Sequence, residues 1–244
     1  MSNSTLDGLY AYADLVVETK EFGNLISEKD SQKFLSRHIA DSLIPYIYID
    51  NIIPVDPVAS LQDDAVLIRN SMDPVASLQD DAVLIRNSAD PVASLQDDAK
   101  SEPRTSSLNP IKWADMGAGA GCPVFPLAIA MPEIQFFAVE PRNMRVKFMQ
   151  MVKEKLHLDN LTVVGKRFET SGLSNLDFIS CRALSTFEND WERAMPALKK
   201  GGHFVTLKSF NNIVHLENDP AVHIYKYSLP LEEQVYALVT RGNE

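Results

Sequence analysis

The part of the sequence that most constrains the fold begins after Pro110, where short β-rich runs alternate with amphipathic helical segments. Five runs are predicted strands: residues 111–116, 134–140, 161–165, 176–180 and 203–208. Helical periodicity separates them, most clearly over residues 144–158 and 187–198. This alternation predicts βαβ units and therefore an α/β fold with a mostly parallel sheet.

Two further runs, residues 223–229 and 235–240, are joined by a short loop that contains proline, and they predict a closing antiparallel hairpin. The sheet is therefore expected to have seven strands. Ahead of it, two segments have helical spacing. The first carries Leu6, Leu9, Tyr10, Ala13, Val16 and Val17. The second is predicted to begin after Ser27, with Ser27 and Asp30 as a capping pair, and to end at Pro45.

Between these parts lies a tandem repeat with a period of 17 residues. DPVASLQDDAVLIRNS occupies residues 56–71, recurs unchanged at 73–88, and continues as DPVASLQDDA at 90–99. Such identity indicates a recent duplication at a position where extra chain costs little, because loop-closure entropy grows only logarithmically with length. We therefore expect an N-terminal helical extension (1–55), an exposed or flexible insertion (56–100) and a core domain (101–244).

The repeat also explains most of the acidic character of the chain. The formal net charge is −10, which normally argues against a polyanionic partner. The three copies hold nine Asp and two Arg, so they account for seven of those charges. Nucleic acid therefore stays open as a partner for the remaining residues.

Membrane and metal-site signals are absent from the sequence. No window approaches the roughly 18 to 20 apolar residues of a bilayer span, and the N-terminus does not resemble a signal peptide. The two cysteines, Cys122 and Cys181, match no metal-site or C-x-x-C spacing. We expect a cytoplasmic protein without a bound metal.

A Gly-rich turn follows the first predicted strand and opens a helix. Asp115 precedes Gly117, Gly119 and Gly121, which gives an acid followed by G-x-G-x-G. Glycines let a backbone approach a ligand closely and adopt positive φ. Because Cys122 stands where the dinucleotide fingerprint requires its third glycine, the spacing favours S-adenosylmethionine over a nicotinamide cofactor.

Glu140 ends the second predicted strand. A carboxylate at that position can bind both hydroxyls of a ribose. Asp115, Gly117, Gly119 and Glu140 are therefore candidate cofactor-binding residues.

Seven motifs, in order, resemble one known family. They are RHIADSL (37–43), DMGAGAGCPVFPLAIAMP (115–132), VEPRNMRVKFM (139–149), LHLDNL (156–161), KRFE (166–169), SCRALSTF (180–187) and GGHFVTLK (201–208). Together they resemble the bacterial 16S small-subunit ribosomal RNA guanine-N7 methyltransferases, also called the glucose-inhibited division protein B family. The resemblance implies a class I S-adenosylmethionine-dependent methyltransferase with a Rossmann-like sheet. It also implies methylation of N7 of a guanine in the 530 loop of 16S rRNA.

The resemblance further implies site residues. The positions that match the cofactor pocket are Gly117, Cys122, Phe168, Glu169 and Arg182. Phe168 is expected to pack on the adenine and Glu169 to address its polar edge. Arg182, with His38 and Asp41 facing the same cleft, is expected to carry the catalytic role by orienting the cofactor or the guanine. No general base is expected, since guanine N7 carries a free lone pair.

A basic stretch is the candidate RNA contact, because phosphates are bound mainly by Lys and Arg. The RNA-binding residues expected are Arg142, Arg145, Lys166, Arg167 and Lys208. The chain departs from the family at Val124, where a second glycine is usual, and at Met144, where a basic residue is common. The expected partner is 16S rRNA or the small ribosomal subunit, with no DNA or membrane partner and a monomeric state.

Three alternatives stay open at this point. The chain can be a class I methyltransferase acting on protein or a small molecule, because a fold does not determine a substrate. It can be a homologue that binds RNA or cofactor without catalysis, disabled by the repeat. A nicotinamide-dependent oxidoreductase comes third, and its fingerprint fails at Cys122.

Overall fold

A computed structural model of the protein describes residues 2–19, 21–22, 25–27, 31, 33–52, 110–230 and 232–244. The tandem repeat, predicted as an insertion over 56–100, lies outside the described residues. The main elements are α1 (Asn3–Glu18), α2 (Ile44–Ile52), β1 (Lys112–Met116), α3 (Val124–Ala130), β2 (Gln135–Val139), α4 (Asn143–Lys155), β3 (Leu161–Val164), β4 (Leu176–Arg182), α5 (Phe187–Ala194), β5 (Leu198–Ser209), β6 (Val222–Ser228) and β7 (Val235–Gly242).

The seven strands form one sheet in the order β3-β2-β1-β4-β5-β7-β6. β1 to β5 are parallel, whereas β7 runs antiparallel to both β5 and β6. The predicted class I methyltransferase architecture, with its closing antiparallel hairpin, is confirmed. The strand order reverses between β1 and β4, and ligands bind in the crevice at the carboxyl ends of such strands.

Two apolar clusters cover the two faces of the sheet. Side chains of a strand alternate between the two faces, so neighbouring residues of β1 belong to different clusters. Trp113 lies in the first cluster and Ala114 in the second. α1 covers the first face, where the Tyr12 ring stacks on Phe125 of α3 with 5.3 Å between ring centroids. The helix α1 is thus packed against α3.

The second N-terminal segment differs from its prediction. A π-helical stretch, Phe34–Ile39, passes into a helical turn, Ala40–Ser42, and α2 then continues to Ile52. The predicted end at Pro45 is wrong because Pro45 occupies the first turn of α2, where a missing N–H breaks no helical hydrogen bond. Asp30, the predicted capping partner, lies outside the described residues.

The boundary between α5 and β5 also differs. The helix predicted to reach residue 198 ends at Ala194, and a 3-10 turn with Pro196 (Met195–Ala197) follows it. β5 then begins at Leu198, five residues earlier than predicted. Within the described parts of the chain, no helix has the length and apolar character of a membrane span.

Candidate functional site

The Gly-rich loop after β1 adopts backbone angles that glycine favours. Gly117, Gly119 and Gly121 have φ of 78°, 62° and 105°. A Cβ added to Gly121 would lie 2.2 Å from Cδ2 of Phe125, whereas at Gly119 the nearest atom would be 3.4 Å away. The loop is therefore closed against the core at Gly121 and open enough at Gly119 for a ligand to approach.

Glu140, just after β2, is bound beneath this loop. Its side chain is buried and accepts hydrogen bonds from the Gly119 N–H (3.0 Å) and the Arg142 N–H (2.9 Å). These bonds go to different carboxylate oxygens, and each oxygen retains a further lone pair. Glu140 thus orients the loop and can still accept hydrogen bonds from the hydroxyls of a ligand.

Asp115, in β1, carries an unsatisfied oxygen. Oδ1 accepts a hydrogen bond from Ser180 Oγ (2.8 Å), while buried Oδ2 has no partner among the described residues. Burial, reinforced by Glu140 and opposed by Ser180 and Arg182, raises the pKa of Asp115 to about 7. An unsatisfied buried oxygen costs free energy, so a cationic ligand group here would be stabilising. The residues present therefore fit the amino group and ribose of S-adenosylmethionine.

α1 adds a residue to this site that sequence analysis missed. Tyr12 is fully buried, and its hydroxyl donates to the Ala120 carbonyl (2.9 Å) and lies 3.4 Å from Cys122 Sγ. Burial raises the pKa of both Tyr12 and Cys122. The signal was available, since positions 9, 12, 13 and 16 form the buried stripe of α1, whereas Tyr10, counted in the apolar pattern, is exposed.

The structure brings together the three residues expected to act in catalysis. Arg182 ends β4; its Nε lies 2.6 Å from Asp41 Oδ2, and its Nη2 lies 2.6 Å from His38 Nδ1. Tyr227 of β6 donates its hydroxyl to the other oxygen of Asp41. Burial raises the pKa of Asp41, and Arg182 and Tyr227 oppose that rise. The catalytic roles themselves stay predictions.

A cleft of about 390 Å³ opens beside Arg182. Four parts of the chain line it: Arg37 and Asp41, residues 182–185, residues 207–209 with Asn212, and Leu229 with Tyr236. Leu184 connects the cleft to the Gly-rich loop, since a Cβ on Gly117 would lie 2.9 Å from Leu184 Cδ1. Sequence analysis missed Ser209, Asn212 and Tyr236, which lie in no recognisable motif.

The two predicted adenine contacts occupy different environments. Phe168 is buried within the second apolar cluster. Glu169 is exposed, and its carboxylate accepts a hydrogen bond from Arg193 Nε (2.5 Å). That hydrogen bond lowers the pKa of Glu169. Their cofactor roles stay predictions.

The predicted RNA-binding residues fall into two groups. Arg142, Lys166 and Arg167 are exposed, and Arg145 is half-buried beside Gly119. Lys208 is different: it is buried, and its Nζ lies 2.8 Å from Asp190 Oδ2. Its ammonium is therefore already paired inside the protein, unlike those of the exposed residues, and the RNA-binding role predicted for Lys208 stays a prediction.

Comparison with known proteins identifies one matching family and several relatives. The family model described as rRNA small subunit methyltransferase G matches residues 93–234. A ribosomal RNA small subunit methyltransferase G from Staphylococcus saprophyticus is 38% identical over 107 residues, covering 42% of this chain and 45% of that protein. One from Staphylococcus aureus is 35% identical over 112 residues, covering 44% and 47%. The chain thus spans about half the length of the curated relatives it matches.

Two solved structures that are similar to this chain are described as methyltransferases. A precorrin-6y C5,15-methyltransferase from Geobacter metallireducens has a TM-score of 0.43 and 19% identity, covering 53% of this chain and 79% of that chain. An O-methyltransferase from Thermotoga maritima has a TM-score of 0.42 and 17% identity, covering 54% and 59%.

The family model covers more than half of the chain, including the Gly-rich loop, Glu140, Arg182 and Lys208. The chain therefore belongs to the GidB family of rRNA small subunit methyltransferase G proteins.

Proposed function

We propose that the protein transfers a methyl group from S-adenosylmethionine to N7 of a guanine in the 530 loop of 16S rRNA, acting as a cytoplasmic monomer on the small ribosomal subunit. One observation carries the proposal: the cleft beside Arg182 adjoins, through Leu184, a Gly-rich loop that overlies an unsatisfied buried carboxylate oxygen. A cofactor held by the loop and a base held in the cleft would meet at the carboxyl ends of β1 and β4.

The cofactor would be held by residues that the structure already orients. Asp115 Oδ2 would accept from the amino group, and Glu140 from the ribose hydroxyls. Tyr12 and Cys122 would fix the far end of the loop, where the Tyr12 hydroxyl donates to the Ala120 carbonyl. The bound cofactor supplies an electrophilic methyl group on a sulfonium.

The residues of the cleft suit a neutral nucleophile that becomes a cation. The N7 lone pair forms the new bond to the methyl carbon, the carbon–sulfur bond breaks, and the base gains the positive charge. The Asp41 carboxylate lines the cleft and would stabilise that charge. No proton leaves N7, so no residue needs to act as a base.

Arg182 would orient the base or cofactor without blocking N7. Its contacts with Asp41 and His38 use two of the five guanidinium N–H donors. Because N7 must face the methyl group, we infer that a further Arg182 N–H addresses guanine O6 or the cofactor carboxylate. Holding nucleophile and methyl carbon in line can contribute roughly 7 to 11 kcal/mol.

The deciding experiment measures methyl transfer from labelled S-adenosylmethionine to small-subunit rRNA from cells that lack this gene. The wild type, Arg182→Ala and a variant lacking one 17-residue repeat unit are compared. Arg241→Ala is the matched control. Arg241 is also a half-buried arginine, but it lies near the opposite end of β7 from Tyr236, which lines the cleft.

Incorporation at a single guanine N7, lost in Arg182→Ala and kept in the other two variants, is the expected result. Incorporation only into protein or a small molecule would instead indicate a different substrate. Cofactor binding without incorporation into any substrate would indicate a non-catalytic homologue.

A further inference from the structure

The turn between β4 and α5 is held by two buried charged side chains, Asp190 and Lys208, and Lys208 also lines the cleft described above. Ser185 follows Arg182 by three residues and is exposed at the rim of the cleft. Its backbone N–H and its hydroxyl both donate to the Asp190 carboxylate, at 3.2 and 2.7 Å. Its carbonyl accepts a hydrogen bond from Lys208 Nζ (2.5 Å). All three polar groups of Ser185 therefore bind the Asp190–Lys208 pair.

This turn is short and contains a residue with an unfavourable backbone conformation. Ala183 has a φ of 50°, in the left-handed region that costs a non-glycine residue about 1 kcal/mol or more. Three residues later, Thr186 caps α5 by accepting from the Asn189 N–H. A turn with a strained residue between two regular elements needs surrounding contacts that maintain it.

Asp190 and Lys208 come from the two elements that flank the turn. Asp190 lies in the first turn of α5, and Lys208 lies near the end of β5. Their side chains are 0% and 6% exposed, and Asp190 Oδ2 lies 2.8 Å from Lys208 Nζ. Burial alone would raise the pKa of Asp190, but hydrogen bonds from Lys208 and Ser185 outweigh it and lower the pKa.

A buried ion pair is weak evidence for stability, because apolar residues of similar size are often equally stable. What an apolar pair cannot reproduce is the set of hydrogen bonds to Ser185. The use of two charges here is therefore explained by orientation of the turn rather than by stability.

We propose that Asp190 and Lys208 are positioning residues for methyl transfer: they hold Ser185, and through it residues 182–185, so that the wall of the cleft and the Arg182 side chain meet the substrate in one geometry. The inference rests on the proposed function and adds a second layer of residues to that same site. Lys208, which also lines the cleft, acts in this proposal through its bonds to Ser185 and Asp190.

The test uses the full chain and three variants. Asp190→Val combined with Lys208→Met removes both charges with only a small increase in side-chain volume. Water can then hydrate the exposed Ser185. Asp190→Asn keeps the shape and removes one charge. Glu217→Gln is the matched control, because Glu217 Oε1 also lies 2.8 Å from a lysine, Lys226 Nζ, but on an exposed surface. Thermal unfolding, S-adenosylmethionine affinity and single-turnover transfer to saturating small-subunit rRNA are measured for each.

The double variant is expected to unfold within about 4 °C of the wild type and to bind cofactor with unchanged Kd. Its single-turnover rate should fall about 10²-fold, the scale of a 1 Å misplacement of reacting groups. Asp190→Asn should lose about tenfold, and Glu217→Gln nothing. A wild-type transfer rate in either folded Asp190 variant would overturn the inference. Absence of transfer by the wild type itself would instead contradict the proposed function.

Discussion

The Gly-rich loop and the cleft beside Arg182 are neighbours, yet they are built in opposite ways. The loop is held largely through its own backbone groups: the N–H groups of Gly117 and Ala118 both donate to the carbonyl of Val139 in the neighbouring strand, at 2.9 and 3.0 Å. The cleft is assembled from distant chain segments through side chains. His38 and Arg182 are 144 residues apart in sequence, and Asp41 and Tyr227 are 186 apart.

This difference predicts how each region responds to substitution. Substitutions at the glycines of the loop should act through backbone strain and steric overlap. The cleft should fail through unpaired buried charges, because removing one partner leaves the other desolvated. The following experiments separate these two responses.

The largest effect is expected from Gly121→Ala. A Cβ there would meet Phe125 at 2.2 Å, and the residue has a φ of 105°. Steric overlap and backbone strain together should lower the free energy of unfolding by about 5 kcal/mol. Gly172→Ala is the matched control, because Gly172 also has positive φ (81°) but no atom lies within 4 Å of the added Cβ. Denaturant unfolding should show a loss of only about 1 kcal/mol for the control. Equal losses in the two variants would show that the contact with Phe125 is unimportant.

The next largest effect concerns the protonation of Asp115, whose pKa is raised by burial to about 7 from 3.8. Between these values the unfolded chain ionises while the folded protein keeps the proton, so stability should decrease as pH rises and level off above pH 7. At 1.36 kcal/mol per pKa unit, the loss is roughly 4 kcal/mol across that window. Asp115→Asn removes this dependence. Urea unfolding of the wild type and Asp115→Asn from pH 4 to 8 measures this dependence. If the two proteins differ in free energy of unfolding by the same amount at every pH, the prediction is wrong.

Asp41→Asn should be somewhat less severe. It leaves the Arg182 guanidinium, which lies 2.6 Å from Asp41, without a counter-charge in a largely buried position. The free energy of unfolding is expected to fall by about 3 kcal/mol, and the rate of methyl transfer should also fall. Glu217→Gln, which disrupts an exposed pair, should lose less than about 1 kcal/mol in the same unfolding assay. A loss no larger than this control would mean that the N-terminal segment does not stabilise the cleft.

The smallest effect is expected from Tyr12→Phe, which removes the hydroxyl that donates to the Ala120 carbonyl. Loss of this hydrogen bond should cost about 1 kcal/mol and weaken cofactor binding slightly. Tyr10→Phe, at an exposed position of the same helix, should stay within about 0.5 kcal/mol of the wild type. Calorimetric titration with S-adenosylmethionine and thermal unfolding check both variants. Identical results for the two would exclude a role for the Tyr12 hydroxyl in holding the loop.

Much of the fold could be predicted from the sequence because its signals are local. The β-rich runs, the helical periodicity and the acid before G-x-G-x-G all act within a few residues, and they predicted the seven strands and the loop. Helix boundaries were harder to predict at proline, which is found both after the end of a helix and in its first turn. Pro45 predicts a helix end, but a proline also fits the first turn of a new helix, and the structure contains such a helix at this position.

Local patterns predicted the sheet, the Gly-rich turn and the candidate residues Asp115 and Glu140, because periodicity and backbone conformation are local properties. Arg182 became a candidate through the family resemblance. Which charges meet depends on how distant segments pack. Asp41 could have been a solvated helix residue and Lys208 a surface cation; folding paired the first with Arg182 and the second with Asp190. The free energy of a charged side chain depends on its burial and on partners that are distant in sequence. Neither can be predicted from the residues next to it in the chain.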